Sequence, residues 1–290
     1  MWIILALISA ICAAARRTNQ KKLSTKINHF TYGFAVQLLG LPFIIVALLL
    51  YGKILNPMHL KASFWIPLII VSFAFYPLNA YLAMQSIKDD ELSKVLPLQS
   101  LWPVFSLLPA WLMLNQVPTI LATFGIVLTV VGIYVLGLKG KALHHPLEPF
   151  KQSRGSRYML YGVILVTAAG VLDKIAIDAS NAIYYSFCST IGAVISIGIL
   201  LRIKRINEFG LLKQNIREIG VMGSLQGASY TTYLMALSVG PLAYVTAVRG
   251  SNVLMGAALG ILVLKERVTL PKIASFILIA LGATLLAVGS

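Results

Sequence analysis

The chain has 290 residues, 58% hydrophobic and 11% charged, with a mean hydropathy of +0.85. Soluble domains carry about a quarter of their residues as charges, so a water-soluble fold is excluded. Lysine and arginine number 24 against 9 acidic residues, a net charge of +15, but this surplus is broken up between apolar runs and forms no single stripe of the kind nucleic acid requires. No nucleic-acid partner is expected; the charge suits anionic lipid headgroups of a bilayer.

A membrane-spanning helix takes about 20 mostly apolar residues to cross roughly 30 Å of hydrocarbon. Ten such segments follow in chain order, at about 1–15, 29–50, 64–87, 92–113, 118–138, 157–177, 182–202, 217–237, 241–264 and 270–289. The first is short, but Arg16 and Arg17 follow its apolar core where a signal peptide would place charge before it, which favours a retained anchor. From Val95 to Leu138 no charge interrupts 44 residues, twice the need of one helix. Leu114-Asn115-Gln116-Val117-Pro118 divides them, with Pro118 suited to the first turn of the next helix.

Connections are short except for Lys139–Ser156, the expected linker between a first half, 1–138, and a second, 157–290. Loops after odd-numbered segments carry 20 of the 24 basic residues, and those after even-numbered segments only Lys53 and Lys61. Under the positive-inside rule the odd loops face the cytoplasm and both termini lie outside. Lys174 and Arg249 remain within segments.

Sparse internal identities relate the halves. Tyr81, Leu82 and Ser86 match Tyr233, Leu234 and Ser238 at an offset of 152. Beyond Asp89 and Asp90 the offset becomes 150, pairing Leu92 with Leu242, Val95 with Val245, Leu114 with Leu264, Thr119 with Thr269, Leu128 with Leu278 and Gly132 with Gly282. Five helices per half force the second copy to enter from the opposite side, so the expected fold is an all-α membrane protein of ten transmembrane helices in two inverted five-helix repeats.

The run Ala236-Leu237-Ser238-Val239-Gly240-Pro241-Leu242-Ala243, then Leu264-Lys265-Glu266-Arg267-Val268-Thr269 and the last helix around Gly282, resembles the ten-helix EamA-type transporters of the drug/metabolite transporter superfamily. Leu96 to Phe105, Gly125-Ile126 and Gly132-Ile133-Tyr134 are similar to the same pattern in the first half. Asn115-Gln116 departs from it, standing where the family often has an acidic residue. The resemblance implies transport of a small organic solute, with export favoured, in the plasma membrane of a bacterium or archaeon. It also implies cytoplasmic termini, the reverse of the charge pattern.

Arg249, about 12 Å into segment 9, needs compensation because an arginine near the bilayer centre costs about 2.5–3.5 kcal/mol. It shares one predicted helical face with Asn252, Gly256 and Gly260. Arg249 and Asn252 are thus candidate contacts for an anionic or zwitterionic solute, the alternative being a structural ion pair between Arg249 and Asp173. Asp173, the one carboxylate well inside a segment, is a candidate proton-coupling group. Lys174 is expected to snorkel or to pair with Asp178.

In segment 4, Gln99 is the repeat partner of Arg249. Trp102 is a second candidate for solute contact, and Pro103 is expected to kink the helix. Ser72, Tyr76 and Asn79 in segment 3, and Gln226, Tyr230 and Tyr233 in segment 8, fall at i, i+4 and i+7 and form one polar stripe on each helix. Lipid offers these groups no partner, so they line a cavity or bond across helices. The tyrosines and Asn79 join the candidate site, bounded by segments 3, 4, 8 and 9.

His29, His59, His144 and His145 have no metal-ligand spacing, and Cys12 and Cys188 lie inside apolar runs, so no metal is expected. No phosphate-binding glycine loop is present, so no cofactor is expected and ATP-driven transport is unsupported. An intramembrane enzyme would need converging catalytic groups at depth, and a non-transporting scaffold would not need polar stripes in both halves. The function expected is therefore secondary transport by alternating access.

Overall fold

A computed structural model describes residues 1–23, 27–51, 54–89, 98, 101–137, 153–206, 208–252, 255 and 270–289. Among the described residues, ten helices overlie the predicted segments. They are α1 (Trp2–Leu23), α2 (His29–Tyr51), α3, α4 (Trp102–Leu114), α5 (Ile120–Gly137), α6 (Arg154–Asp178), α7 (Ala182–Ile203), α8 (Ile216–Val239), α9 (Leu242–Gly250) and α10 (Leu270–Val288). The third, α3, is continuous through Ala62–Ile69, a π-helical stretch at Ile70–Phe75, and Tyr76–Asp89. An eleventh helix, Phe209–Gln214, was not expected, and its six residues span only ~9 Å.

Among the described residues, length and composition alone mark four stretches as able to cross a membrane: His29–Tyr51, Ala62–Ala83, Arg154–Asp178 and Ala182–Ile203. Trp2–Arg16, Trp102–Leu114, Ile120–Val135 and Ile273–Val288 are apolar but shorter. Helix α8 reaches neither class despite its 24 residues. Its composition is diluted by hydroxyls that it buries against other helices, such as Ser229 and Thr231.

Local chemistry sets the helix ends. The Ser153 side chain accepts from the Ser156 N–H to start α6, and the Asn181 side chain accepts from the Tyr184 N–H at 2.8 Å to start α7. Helix α4 stops at Asn115, whose φ of 52° is the left-handed conformation asparagine tolerates. Pro118 is not in the first turn of α5. Thr119 occupies the cap instead, its Oγ1 accepting from the Ala122 N–H at 3.2 Å.

The same connection holds α9. Gln116 Oε1 accepts from the Leu242 N–H at 2.9 Å, and the Thr119 N–H donates to the Tyr244 hydroxyl at 3.2 Å. A neutral carbonyl oxygen thus sits at the positive end of α9, satisfying a donor that helix geometry leaves open. This gives Asn115-Gln116 a structural task without an acidic side chain.

Helices from the two halves interleave. Helix α1 packs on α8 and α9, and α6 packs on α3 and α4; α2 packs on α7, α4 on α9 and α5 on α10. Exchanging each helix of the first half with the one five places later preserves these principal pairings. Glycines allow the closest crossings. A Cβ on Gly223 would lie 2.7 Å from the Leu39 carbonyl carbon, and one on Gly40 would lie 2.8 Å from the Gly223 oxygen. Ser9 and Ser229 tie α1 to α8 reciprocally, each hydroxyl donating to the other's backbone oxygen at 2.7 and 2.9 Å. Large apolar side chains such as Leu49, Phe124 and Ile277 face outward, as lipid permits.

Candidate functional site

A cavity of about 210 Å³ opens among α2, α3, α4, α6, α7, α8 and α9. The first half contributes Gln37 from α2, Ser72, Tyr76 and Asn79 from α3, and Trp102 from α4. The second contributes Asp173 from α6, Ser189 and Thr190 from α7, Gln226, Tyr230 and Tyr233 from α8, and Arg249 from α9. Helices 2, 6 and 7 therefore join the four segments expected to bound it.

Both predicted polar stripes reach this cavity. On α3 the π-helical stretch places Ser72 and Tyr76 against it, the Tyr76 N–H bonding back to the Val71 oxygen five residues earlier. Ser72 also donates to the Ser189 carbonyl at 3.4 Å, so it joins helices as well as lining the space. On α8, the Tyr230 hydroxyl accepts from Ser189 Oγ at 3.2 Å, while the buried Tyr233 hydroxyl has no partner among the described residues.

Arg249 is half-buried in the last turn of α9. Its Cζ lies 4.1 Å from the centre of the Tyr233 ring and 5.5 Å from that of Trp102, and the two rings are tilted against each other 6.0 Å apart. Two aromatic faces and the negative end of a helix are thus its compensation. The alternative, an ion pair with Asp173, is not formed: among the described residues the one ion pair is Lys174–Asp178, at 3.1 Å. Asp173 Oδ1 instead accepts from the Tyr185 hydroxyl at 2.7 Å, in a site where Asp173 is 5% exposed. Lys174 is not among the cavity-lining residues, and its Nζ also reaches the Ser238 oxygen at 3.4 Å.

Asn252 lies just past the end of α9 at Gly250 and is not among the residues lining the cavity. Pro103 sits in the first turn of α4 as described, where a proline leaves no N–H wanting a partner, and most of the segment before it lies outside the described residues. Gln99, Gly256 and Gly260 lie outside the described residues. Gln37, Ser189 and Thr190 were not anticipated. Gln37 had a signal, as the one amide side chain within the apolar window of segment 2.

Among the described residues no group of three or more histidine, cysteine, aspartate or glutamate side chains is arranged to hold a metal ion. No curated protein matches the sequence significantly. A solved crystal structure of a protein matches with a TM-score of 0.77 over 99% of this chain and 97% of that one. At 11% identity the likeness is one of fold. The model of the EamA-like transporter family matches residues 1–138 and 153–288. Nearly the whole length is covered by these two stretches, and the chain belongs to the EamA-like transporter family, whose members are multi-pass membrane transporters of the drug/metabolite transporter superfamily.

Proposed function

We propose that this membrane transporter is a secondary exporter of small organic solutes, anionic or zwitterionic, across the plasma membrane of a bacterium or archaeon. The observation that carries the reading is Arg249, a half-buried guanidinium on the wall of a cavity to which both halves of the chain contribute. A cation in hydrocarbon persists where it borders a polar space, and a wall shared by two bodies changes shape when they move. Trp102, Tyr76, Asn79, Tyr230 and Tyr233 contact the solute alongside Arg249, with Gln99 and Asn252 completing the candidate set.

Movement follows from two inverted five-helix repeats, residues 1–138 and 157–290, joined by 139–156 and together crossing the membrane ten times. The exchange relation among helix pairings supports this: two halves that pack by the same rules have two near-equivalent arrangements, one open to each side. Asp173 is the proton-coupling group, a buried carboxylate on the same cavity that, among the described residues, is held by one hydroxyl and no ion pair. Flux of radiolabelled organic anions and amino acids in proteoliposomes, with and without an imposed proton gradient, tests the reading. Flux unchanged in both Arg249→Ala and Asp173→Asn would remove the site; absence of any solute flux would remove secondary transport.

A further inference from the structure

We infer that the solute carries a compact oxyanion, a carboxylate, sulfonate or phosphonate, on a body about the size of one aromatic ring. This rests on the transport reading and narrows it to a chemical class. Among the described residues seven buried side-chain nitrogen or oxygen atoms lack a hydrogen-bond partner. Four of them, Trp102 Nε1, Thr190 Oγ1, the Tyr233 hydroxyl and Arg249 Nε, belong to residues that line this one cavity. Buried polar atoms are almost always paired, so four exceptions around one space point to a guest that pairs them. Tyr233 is 2% exposed and Thr190 1% exposed, which leaves the cavity as the place where a partner for them fits.

The kind of guest follows from what these atoms offer. The indole and guanidinium nitrogens can only donate, and the two hydroxyls can donate. An ammonium head has no lone pair to give them, and an amide offers one oxygen. An oxyanion supplies several acceptor sites and a charge opposite to that of Arg249.

Size comes from the volume. An apolar protein cavity of about 150 Å³ accepts benzene. About 210 Å³ therefore admits one ring and a small head group. The rings of Phe75, Tyr76, Trp102 and Tyr233 supply walls suited to such a body.

Calorimetric titration of the full chain in lipid nanodiscs with benzoate, benzenesulfonate, phenylphosphonate, benzamide and benzylamine tests the inference. At least one of the three anions is expected to bind about tenfold or more tightly than benzamide, with benzylamine weakest. Comparable affinities for anion and amide, a preference for the amine, or no binding of any of the anions would overturn it. Tyr233→Phe and Thr190→Val each take away one hydroxyl at nearly constant shape. Each is expected to weaken binding of the preferred anion by roughly tenfold, with a smaller effect on benzamide and an unfolding midpoint as high as that of the parent or higher. Unchanged anion affinity in both variants would mean that these atoms are unpaired for another reason, and the inference would fall. Arg249-dependent flux of some other solute, with no anion bound, would defeat the chemistry proposed here and leave the transport reading standing.

Discussion

Arg249→Met separates a functional guanidinium from a structural one. Holding the charge in the membrane interior costs about 2.5–3.5 kcal/mol. The contacts on Tyr233 at 4.1 Å and Trp102 at 5.5 Å return about 1–2 kcal/mol each, and the last turn of α9 adds about 0.3–1 kcal/mol. Cost and return balance to within about 2 kcal/mol, so a flexible apolar side chain of similar length should leave stability almost where it was. Thermal unfolding in nanodiscs is expected to shift by no more than ~8 °C in either direction, while solute flux in proteoliposomes falls to background. A midpoint lowered by well over ~10 °C would make Arg249 a structural element whose loss disrupts the fold. Retained flux with an intact fold would refute its contact with solute.

Other sites give independent tests. A Cβ on Gly282 would lie 2.7 Å from both the Gly125 oxygen and the Thr129 nitrogen, so Gly282→Ala is expected to lower stability by about 1–3 kcal/mol; an unchanged unfolding midpoint would contradict that crossing. Asn181→Ala removes the side-chain acceptor at the start of α7 and is expected to cost ~1 kcal/mol, with Asn181→Gly milder, as thermal unfolding would show. Gln116→Leu takes away the acceptor for the Leu242 N–H and is expected to destabilise by about 1–3 kcal/mol; no change would mean that the α4–α5 connection does not hold α9. A C-terminal reporter active only in the cytoplasm is expected to be silent, and activity would reverse the orientation deduced from loop charge.

Spacing carried more of the site than identity did. Ser72, Tyr76 and Asn79 could be grouped because helices bring i, i+4 and i+7 to one side, and the grouping tolerates the local widening at Ile70–Phe75. Gln226, Tyr230 and Tyr233 follow the same rule and meet the first set across the cavity. Asn252 was grouped with Arg249 by the same rule, and α9 ends between them at Gly250. The pair Gly250-Ser251, of a kind that commonly bends helices, was the available sign. Arg249 could be singled out by its cost, but its partners could not. A carboxylate was the obvious candidate, whereas two ring faces solve the same electrostatic problem and lie 147 and 16 positions away in sequence, at Trp102 and Tyr233. Thr190 has Ser186 four residues before it on the same helix, but serine and threonine hydroxyls bond within their own helix as readily as across a cavity, so that pair was a weak sign.

The clasp between Ser9 and Ser229 joins residues 220 positions apart. At ~5–20 residues per second of synthesis, roughly 10–45 seconds separate the emergence of these two serines from the ribosome. Throughout that interval the first helix has already left the tunnel while the two helices it packs against, α8 and α9, do not yet exist. The nascent chain therefore has to be inserted as loosely associated rods and zipped together afterwards. Truncation anywhere before residue 229 leaves the first helix without its partner, a substrate for membrane quality control.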